Sequence, residues 1–282
     1  MDLLLFRIKV ERPVDQSELF LSDMTNPAIL RLSLSSKPTA RTYRGQAWHV
    51  GNVQAIDDAG VYFALGRTAR STQSVLDPTT GDFVETQSET APFTHVLVDI
   101  PTGVAAIAKK TSLADTFALA RQLERTLENS NELRHTQIRF RIAPITDPDA
   151  FLTALREAYR IRSFTVSFTK PNPIDVQRLF LKPMEQLAQE TDARSGSTTL
   201  RGESLREPAL EDLTRSAAST GDEARARLQL SEGEPLVSRA LTGDTVSIPQ
   251  DDLDSQEGRA EGLAKLRDEY RRVRGDDPDA AA

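Results

Sequence analysis

The sequence predicts an α/β (α+β) protein built on a mixed sheet. Several runs alternate apolar and polar residues, which is typical of strands with one buried side. Between them lie stretches with apolar residues three and four apart, which is typical of amphipathic helices. From residue 94 to 192 the predicted order is strand, strand, helix, strand, helix, strand, helix. This order favours a split β-α-β, ferredoxin-like core with its helices on one face of the sheet.

The N-terminal part supplies mostly strands. Residues 4–10 alternate and predict a first strand. Two apolar runs, 46–56 and 60–67, flank a turn and predict a second pair of strands. Residues 71–93 are polar and rich in turn formers, which predicts an exposed excursion from the fold. Residues 94–110 predict a hairpin, because two apolar runs are separated by a Pro-Thr-Gly turn.

The next segment alternates helices and strands. A helix is predicted over 112–129 and another over 147–159, each with apolar residues along one side. Strands are predicted at 137–142 and 163–169, where apolar residues occupy every second position. A further helix is expected over 174–192, interrupted near a proline. We expect the strands of residues 1–192 to form a single α/β core domain.

The last third reads as a less regular, acidic region. Residues 193–224 are predicted to be a polar linker that contains one helix over 207–218. Residues 225–274 predict a small β region of three short strands followed by a terminal helix. The predicted helix carries apolar residues along one face, and residues 275–282 predict a disordered tail.

Charge is divided unevenly along the 282 residues. The net charge of −7 combines 22 Lys+Arg against 20 Asp+Glu in residues 1–182 with 13 against 22 in residues 183–282. The near-neutral front can carry local basic faces, which a uniformly anionic chain could not. The absence of cysteine excludes disulfides and thiolate metal sites. We expect no signal peptide, no membrane segment and a cytoplasmic, bacterial protein.

No motif in the sequence points to a catalytic or cofactor site. Phosphate-binding glycine loops, the zinc-protease helix motif and the nucleophile elbow are all absent, and we predict no cofactor. The three histidines lack metal-ligand spacing, so no metal site is predicted. Asp99 ends an apolar strand and could act as a general base, but a turn-capping role is the preferred interpretation. Arg67 and Arg70 follow Gly66 and form a second, weaker candidate anion site, against a solvated hairpin exit.

The polar sides of three predicted strands carry the main functional hypothesis. If strands 4–10, 137–142 and 163–169 lie side by side on the helices, their polar sides form one open face with several cations and hydroxyls. The predicted nucleic-acid-binding residues are Arg7, Lys9, Gln137, Arg139, Arg141 and Lys170. The other interpretations are a solvated sheet face, or a face covered by the acidic C-terminal region or by a partner. No outward residue on these strands is aromatic, unlike modules that stack bases.

One short segment carries a resemblance to a known group of proteins. Lys170, Pro171, Asn172 and Pro173 close a strand that feeds a helix, in an α/β chain otherwise poor in motifs. This arrangement resembles uncharacterised bacterial α/β proteins found among anti-phage defence genes. The resemblance covers about residues 94–192 and implies a defence or nucleic-acid-linked role, without catalytic residues.

Three functions follow as hypotheses. The first is a non-enzymatic nucleic-acid-binding subunit that contacts DNA or RNA through the basic face, as a sensing or accessory component of phage defence. The second is an interaction scaffold or homo-oligomer that docks a protein partner or its own basic face through the acidic C-terminal region. The third is a divergent metal-dependent nuclease that uses Asp82, Glu85 and Asp99.

Overall fold

The computed structural model describes residues 1–12, 24–42, 46–169, 191, 193 and 195–275. Within those ranges the chain is a mixed α+β structure with three sheets and five helices. The strands are β1 (Asp2–Glu11), β2 (Thr39–Arg41), β3 (Ala47–Ala55), β4 (Gly60–Arg67), β5 (Ala69–Leu76), β6 (Phe83–Thr90), β7 (Phe93–Asp99), β8 (Val104–Ala108), β9 (Arg139–Pro144), β10 (Arg160–Thr169), β11 (Ser195–Arg201), β12 (Ala224–Gln229), β13 (Val237–Ala240) and β14 (Ser247–Pro249). The helices are α1 (Asn26–Ser35), α2 (Thr116–Glu128), α3 (Asp149–Arg156), α4 (Glu207–Thr220) and α5 (Gln256–Arg274).

The main sheet is built around β1. Its strands follow the order β14-β1-β8-β7-β4-β3-β2, and β9 also pairs with β1. One edge of β1 pairs with β8, whereas the other edge is shared by β14 at its start and β9 at its end, all antiparallel. β8 and β9 therefore run parallel on either side of β1, and α2 connects them. β1 lies between the two strands that this crossover joins, as in a split β-α-β unit. A complete ferredoxin-like core stays a prediction.

Helices cover both faces of the main sheet, so the prediction of helices on one face is wrong. Leu4, Phe6 and Ile8 of β1 pack with α1 and α2 in one core. Leu3 and Leu5 point the other way and pack with Leu253, Leu266 and Tyr270 from the α5 segment in a second core. The physical reason is visible in β1 itself, because its first residues are apolar on both sides and need cover on both.

The second sheet has the order β11-β10-β12-β13 and is entirely antiparallel. Its inner side packs on α3 and α4 through a third core that includes Phe164, Val166 and Leu228. Two predictions are corrected here. β10 does not lie in the same sheet as β1 and β9, and residues 193–224 are not a linker, because they form β11 and α4 and pack on β10.

The end of α4 joins the second sheet to the main sheet. Gly221 terminates α4 in the left-handed region at φ 68°, where a side chain would be strained. A Cβ at Gly221 would also lie 2.5 Å from the Cβ of Ala143 in β9, so only glycine allows this close approach. The next residue, Asp222, accepts hydrogen bonds at 3.0 Å from Nζ of Lys9 on β1. A glycine turn therefore carries an acidic side chain directly to a buried lysine.

Most local predictions are confirmed where the structure describes them. The two predicted hairpins form as β3–β4 and β7–β8, and the terminal helix buries its predicted apolar face. Residues 69–90 form a separate two-stranded sheet, β5–β6. The helix predicted over 174–192 and the tail after residue 275 lie outside the described residues. None of the described helices is both long and apolar enough to span a membrane.

Arg267 of α5 fixes that helix to two turns of the main sheet. Its Nε donates to Asp99 at 2.7 Å, and its Nη1 donates to Asp57 at 2.7 Å. The hydrogen bond from Arg267 is the main reason that the pKa of Asp57 falls from its ordinary 3.8 to about 2. Asp99 also accepts from the Thr102 hydroxyl at 2.6 Å within the β7–β8 turn. The structure therefore confirms the turn interpretation of Asp99.

Removal of the Lys9 charge alone should destabilise the fold strongly. We expect Lys9→Met to lower the free energy of unfolding by about 3–5 kcal/mol, because it leaves a largely buried carboxylate without its cation. Asp222→Asn should cost a similar amount, since burial already lowers the pKa of Lys9 and the carboxylate opposes that effect. The double variant should recover much of the loss in urea denaturation. Additive losses would contradict a coupled pair.

Loss of Arg267 should give a pH-dependent destabilisation. A carboxylate with a lowered folded-state pKa stabilises the fold above its ordinary pKa of 3.8, and this contribution disappears as the pH falls to about 2. Arg267→Met should lower the free energy of unfolding at pH 7 by about 3 kcal/mol, because it leaves the buried carboxylate of Asp99 without its cation, while solvent screens the more exposed Asp57. The difference from wild type should shrink between pH 4 and pH 2 in denaturation experiments. A difference that is constant with pH would contradict this assignment.

Candidate nucleic-acid interface

The structure buries two of the predicted binding residues. Arg7 is 0% exposed and Lys9 is 2% exposed, both on the side of β1 that faces the α4 and α5 segments. Arg7 donates from Nη1 to the hydroxyl of Tyr270 on α5, and its Cζ lies 5.7 Å from the centre of that ring. The prediction that three strands lie side by side and present an open polar face is therefore wrong, because C-terminal elements cover that side of β1.

Arg139 and Arg141 remain exposed, but acidic groups surround them. In the β1–β9 register, Arg141 lies opposite Lys9 and Arg139 lies opposite Glu11. The free edge of β9 is capped by α2, since Glu128 accepts from the backbone N–H of Phe140 and Glu124 from that of Ile142. Burial raises the pKa of Glu124, and the nearby Arg141 opposes this rise. These two arginines thus sit at the edge of the sheet among three carboxylates.

Of the remaining predicted residues, only Gln137 lies in the described part of the chain. Gln137 is exposed and precedes β9, while Lys170 lies outside the described residues. The polar side of β10 is in the second sheet and contributes nothing to the β1–β9 surface. The structure therefore does not bring the five described residues of the predicted site together on one exposed surface, because Arg7 and Lys9 are buried.

A different open face has the predicted character. In β10, Phe164 and Val166 point into the third core, whereas Ser163, Thr165 and Ser167 alternate with them on the opposite side. No described helix is assigned to a core on that opposite side. We call it the open face, and the register places on it Arg160, Ser163, Thr165 and Ser167 of β10, Ser197, Thr199 and Arg201 of β11, Arg225, Arg227 and Gln229 of β12, and Ser238 and Ala240 of β13.

Three exposed arginines flank the hydroxyls of β10 on this face. Arg201 lies opposite Ser163 on one side, and Arg227 lies opposite the same serine on the other. Arg225 is the cross-strand neighbour of Thr165. Residues two apart on a strand are separated by about 6.6 Å on the same side, so Arg225 and Arg227 form a short row of cations. The arrangement places a guanidinium on each side of a central strip of hydroxyl groups.

Few acids neutralise the open face. Arg225 pairs with Glu223 at 3.5 Å, but both side chains are mostly exposed, at 65% and 74%, so solvent screens this pair. Arg201 and Arg227 form no ion pair within the described part of the chain. Thr165 and Thr199 share one hydrogen bond at 2.9 Å between their hydroxyls, which leaves one hydroxyl hydrogen of the two for another acceptor. Among the described residues, the face therefore carries more cations than acids and keeps available donors.

The sequence contains a signal for these missed arginines. The β12 run Ala-Arg-Ala-Arg-Leu-Gln alternates, with its burial pattern alternating in the same way. Its inward residues are mostly alanines, which give a weaker apolar signal than the leucines and valines of other strands. β11 alternates too, but with only half-buried residues on its inner side. The sequence prediction therefore misses β11, which lies in the segment predicted to be a linker. β12 lies in the predicted small β region, but its pairing with β10 was not predicted.

Other candidate sites are dispersed. Among the described residues, no group of three or more His, Asp or Glu side chains could hold a metal ion. Asp99 belongs to the main sheet, whereas Glu85 lies on the β5–β6 hairpin and Asp82 in its turn. His95 is buried beside the Tyr62 hydroxyl at 3.0 Å, and burial lowers its pKa. Arg67 stacks over Trp48 on β3, while Arg70 lies on β5.

Comparison with known proteins adds no assignment to this geometry. No protein-family model matches the chain, and no curated protein matches its sequence.

Proposed function

We propose that the chain binds the phosphate backbone of nucleic acid through the open face of the second sheet. The observation that carries this proposal is the position of Arg201, Arg225 and Arg227 around the β10 hydroxyls, on the side of the second sheet that no described helix covers. Guanidinium groups pair with phosphate oxygens through parallel hydrogen bonds, and hydroxyl groups add further donors. The proposal keeps the predicted function of a basic sheet face, but its cations lie on β11 and β12 and not on β1 and β9.

The composition of the open face favours backbone contacts over base recognition. None of the described residues that the register places on it is aromatic, and the adjacent Tyr159 ring already stacks with the Arg160 guanidinium at 4.9 Å, so no free ring is offered to an unpaired base. Arg and hydroxyl contacts to phosphate carry no sequence information. We therefore expect binding to be insensitive to sequence, and duplexes to bind at least as well as single strands.

The wider biological role rests on other grounds. The role of a sensing or accessory subunit in phage defence depends on the resemblance at residues 170–173, which lie outside the described part of the chain. That role stays a prediction, as does a non-enzymatic character. The open face supports only the narrower proposal of phosphate-backbone binding.

Reversal of two charges on the open face should abolish binding. Arg225→Glu combined with Arg227→Glu replaces a row of cations by anions, and both side chains are exposed, so the fold should tolerate the change. The affinity for a labelled duplex should be lost in fluorescence anisotropy at low salt. Arg139→Glu with Arg141→Glu is the matched control, since it makes the same charge change at exposed positions of β9. Loss of binding in the control but not in the β12 variant would contradict the proposed location.

A single neutral substitution should change the salt dependence in a measurable way. If Arg227 contacts one phosphate, Arg227→Ala should reduce the slope of log K against log salt concentration by about 0.9 for duplex DNA. The same substitution should weaken all duplex sequences equally, because a phosphate contact does not read bases. An unchanged slope, or a loss confined to one sequence, would exclude a backbone contact by this residue.

A further inference from the structure

The β5–β6 hairpin extends from the fold as a sheet of its own. Its eight-residue strands pair from Ala69↔Thr90 to Leu76↔Phe83, and neither strand joins another described sheet. Eight residues at about 3.4 Å each give an arm of about 27 Å. A two-stranded hairpin is marginally stable in water unless further strands or a packed surface complete it. The hairpin continues the register of β4 and β7, in which Gly66 pairs with Phe93, so the main sheet supports its base and its far end is the part that needs additional contacts.

The tip of the arm is apolar on both sides. Leu76 and Phe83 form the last cross-strand pair and are 51% and 78% exposed. Val75 and Val84 form the pair before it, also largely exposed, and adjacent pairs on a strand point to opposite sides. An apolar cluster on one side would suit a flat surface. A cluster on both sides favours an environment that contacts the tip from two directions.

The two edges of the arm differ in charge. β6 carries Glu85 and Glu89, so two copies of β6 paired antiparallel would bring carboxylates together. β5 contains no acid and no proline, and its one charged residue, Arg70, already faces Glu89 across the hairpin. Sheet edges are usually protected by charges, prolines or a cover, as Glu124 and Glu128 protect β9. Positions 71–76 of β5 contain no charged residue and no proline, and no strand in the described part of the chain pairs with this edge.

We propose that β5 pairs antiparallel with β5 of a second copy of this chain. The pairing gives a four-stranded sheet in the order β6-β5-β5-β6 about a two-fold axis, the commonest symmetry of homodimers. The antiparallel arrangement places the tip of each β5 beside the base of the other β5, so Val75 and Leu76 gain cross-strand neighbours from the second copy. The surface is distinct from the open face, and it does not involve the acidic C-terminal region.

Hydrogen bonds at the two ends of the arm identify the free backbone groups of β5. The N–H of Arg67 donates to the carbonyl of Pro92, and the N–H of Asp77 donates to the carbonyl of Asp82. Hydrogen-bonded and non-hydrogen-bonded pairs alternate along an antiparallel ladder. Since residues 67 and 77 both donate across the hairpin, the odd positions of β5 direct their N–H groups to β6. The even positions, including Thr72 and Ser74, direct their N–H groups outward.

The test compares two prolines on one cross-strand pair. Thr72 lies opposite Gln87, and both direct their N–H away from the hairpin. Thr72→Pro removes a donor at the β5 edge, whereas Gln87→Pro removes the equivalent donor at the β6 edge. Neither substitution removes a hydrogen bond between β5 and β6, so any loss of hairpin stability should be similar in the two variants. Sedimentation velocity and light scattering across the micromolar range report the mass, and circular dichroism checks the fold.

The expected results are specific to each chain. Wild type and Gln87→Pro should have about twice the 31.2 kDa chain mass, while Thr72→Pro should remain monomeric. Leu76→Ser with Phe83→Ser leaves the backbone intact and should raise the dimer dissociation constant at least tenfold. A monomeric wild type, a dimer that persists in Thr72→Pro, or equal loss in both proline variants would overturn the proposal. Nucleic-acid binding by a monomeric variant would leave the proposed function intact.

Discussion

The burial of two cations on β1 determines how the rest of the molecule is arranged. Burial of a guanidinium and an ammonium group is costly unless hydrogen-bonding and charged partners are already in place. Arg7 donates a hydrogen bond to the Tyr270 hydroxyl on α5, and Lys9 donates to the carboxylate of Asp222, which follows α4. Those contacts require both helices to lie over the same side of β1. They therefore fix the terminal helix on the main sheet and attach the second sheet through Gly221 and Asp222.

That arrangement separates structural cations from accessible ones. Arg7 and Lys9 have become internal, while Arg139 and Arg141 lie near the α2 carboxylates that cap the β9 edge. α3 and α4 occupy the inner side of the second sheet, so its arginines face outward. Long-range Coulomb attraction for a polyanion depends on charges that water reaches and acids do not neutralise. By that criterion the second sheet, and not β1, presents the positive surface.

The sequence predicted local structure well because local structure depends on near neighbours. Both hairpins, the helix from Glu207 and the buried face of the terminal helix follow from alternation, turn residues and helical spacing. It did not predict which sheet β10 joins, because strand pairing depends on contacts distant in the chain. Nor can alternation distinguish a polar side that faces water from one covered by a helix, which explains the error at Arg7. No described helix covers the hydroxyl side of β10, but its arginine neighbours come from two other segments. Arg201 comes from the predicted linker, whereas Arg225 and Arg227 come from the predicted small β region.

Edge protection connects the two proposed surfaces. Two glutamates of α2 accept hydrogen bonds from the free N–H groups of β9, so another strand cannot pair with that edge of the main sheet. The chain places two more acids on β6 but none on β5, so one edge of the arm repels its own copy and the other does not. A dimer formed through β5 would hold two open faces in one particle. Since a second site on the same particle binds at a high effective concentration, modest phosphate contacts on each face would combine into tighter binding to a long duplex.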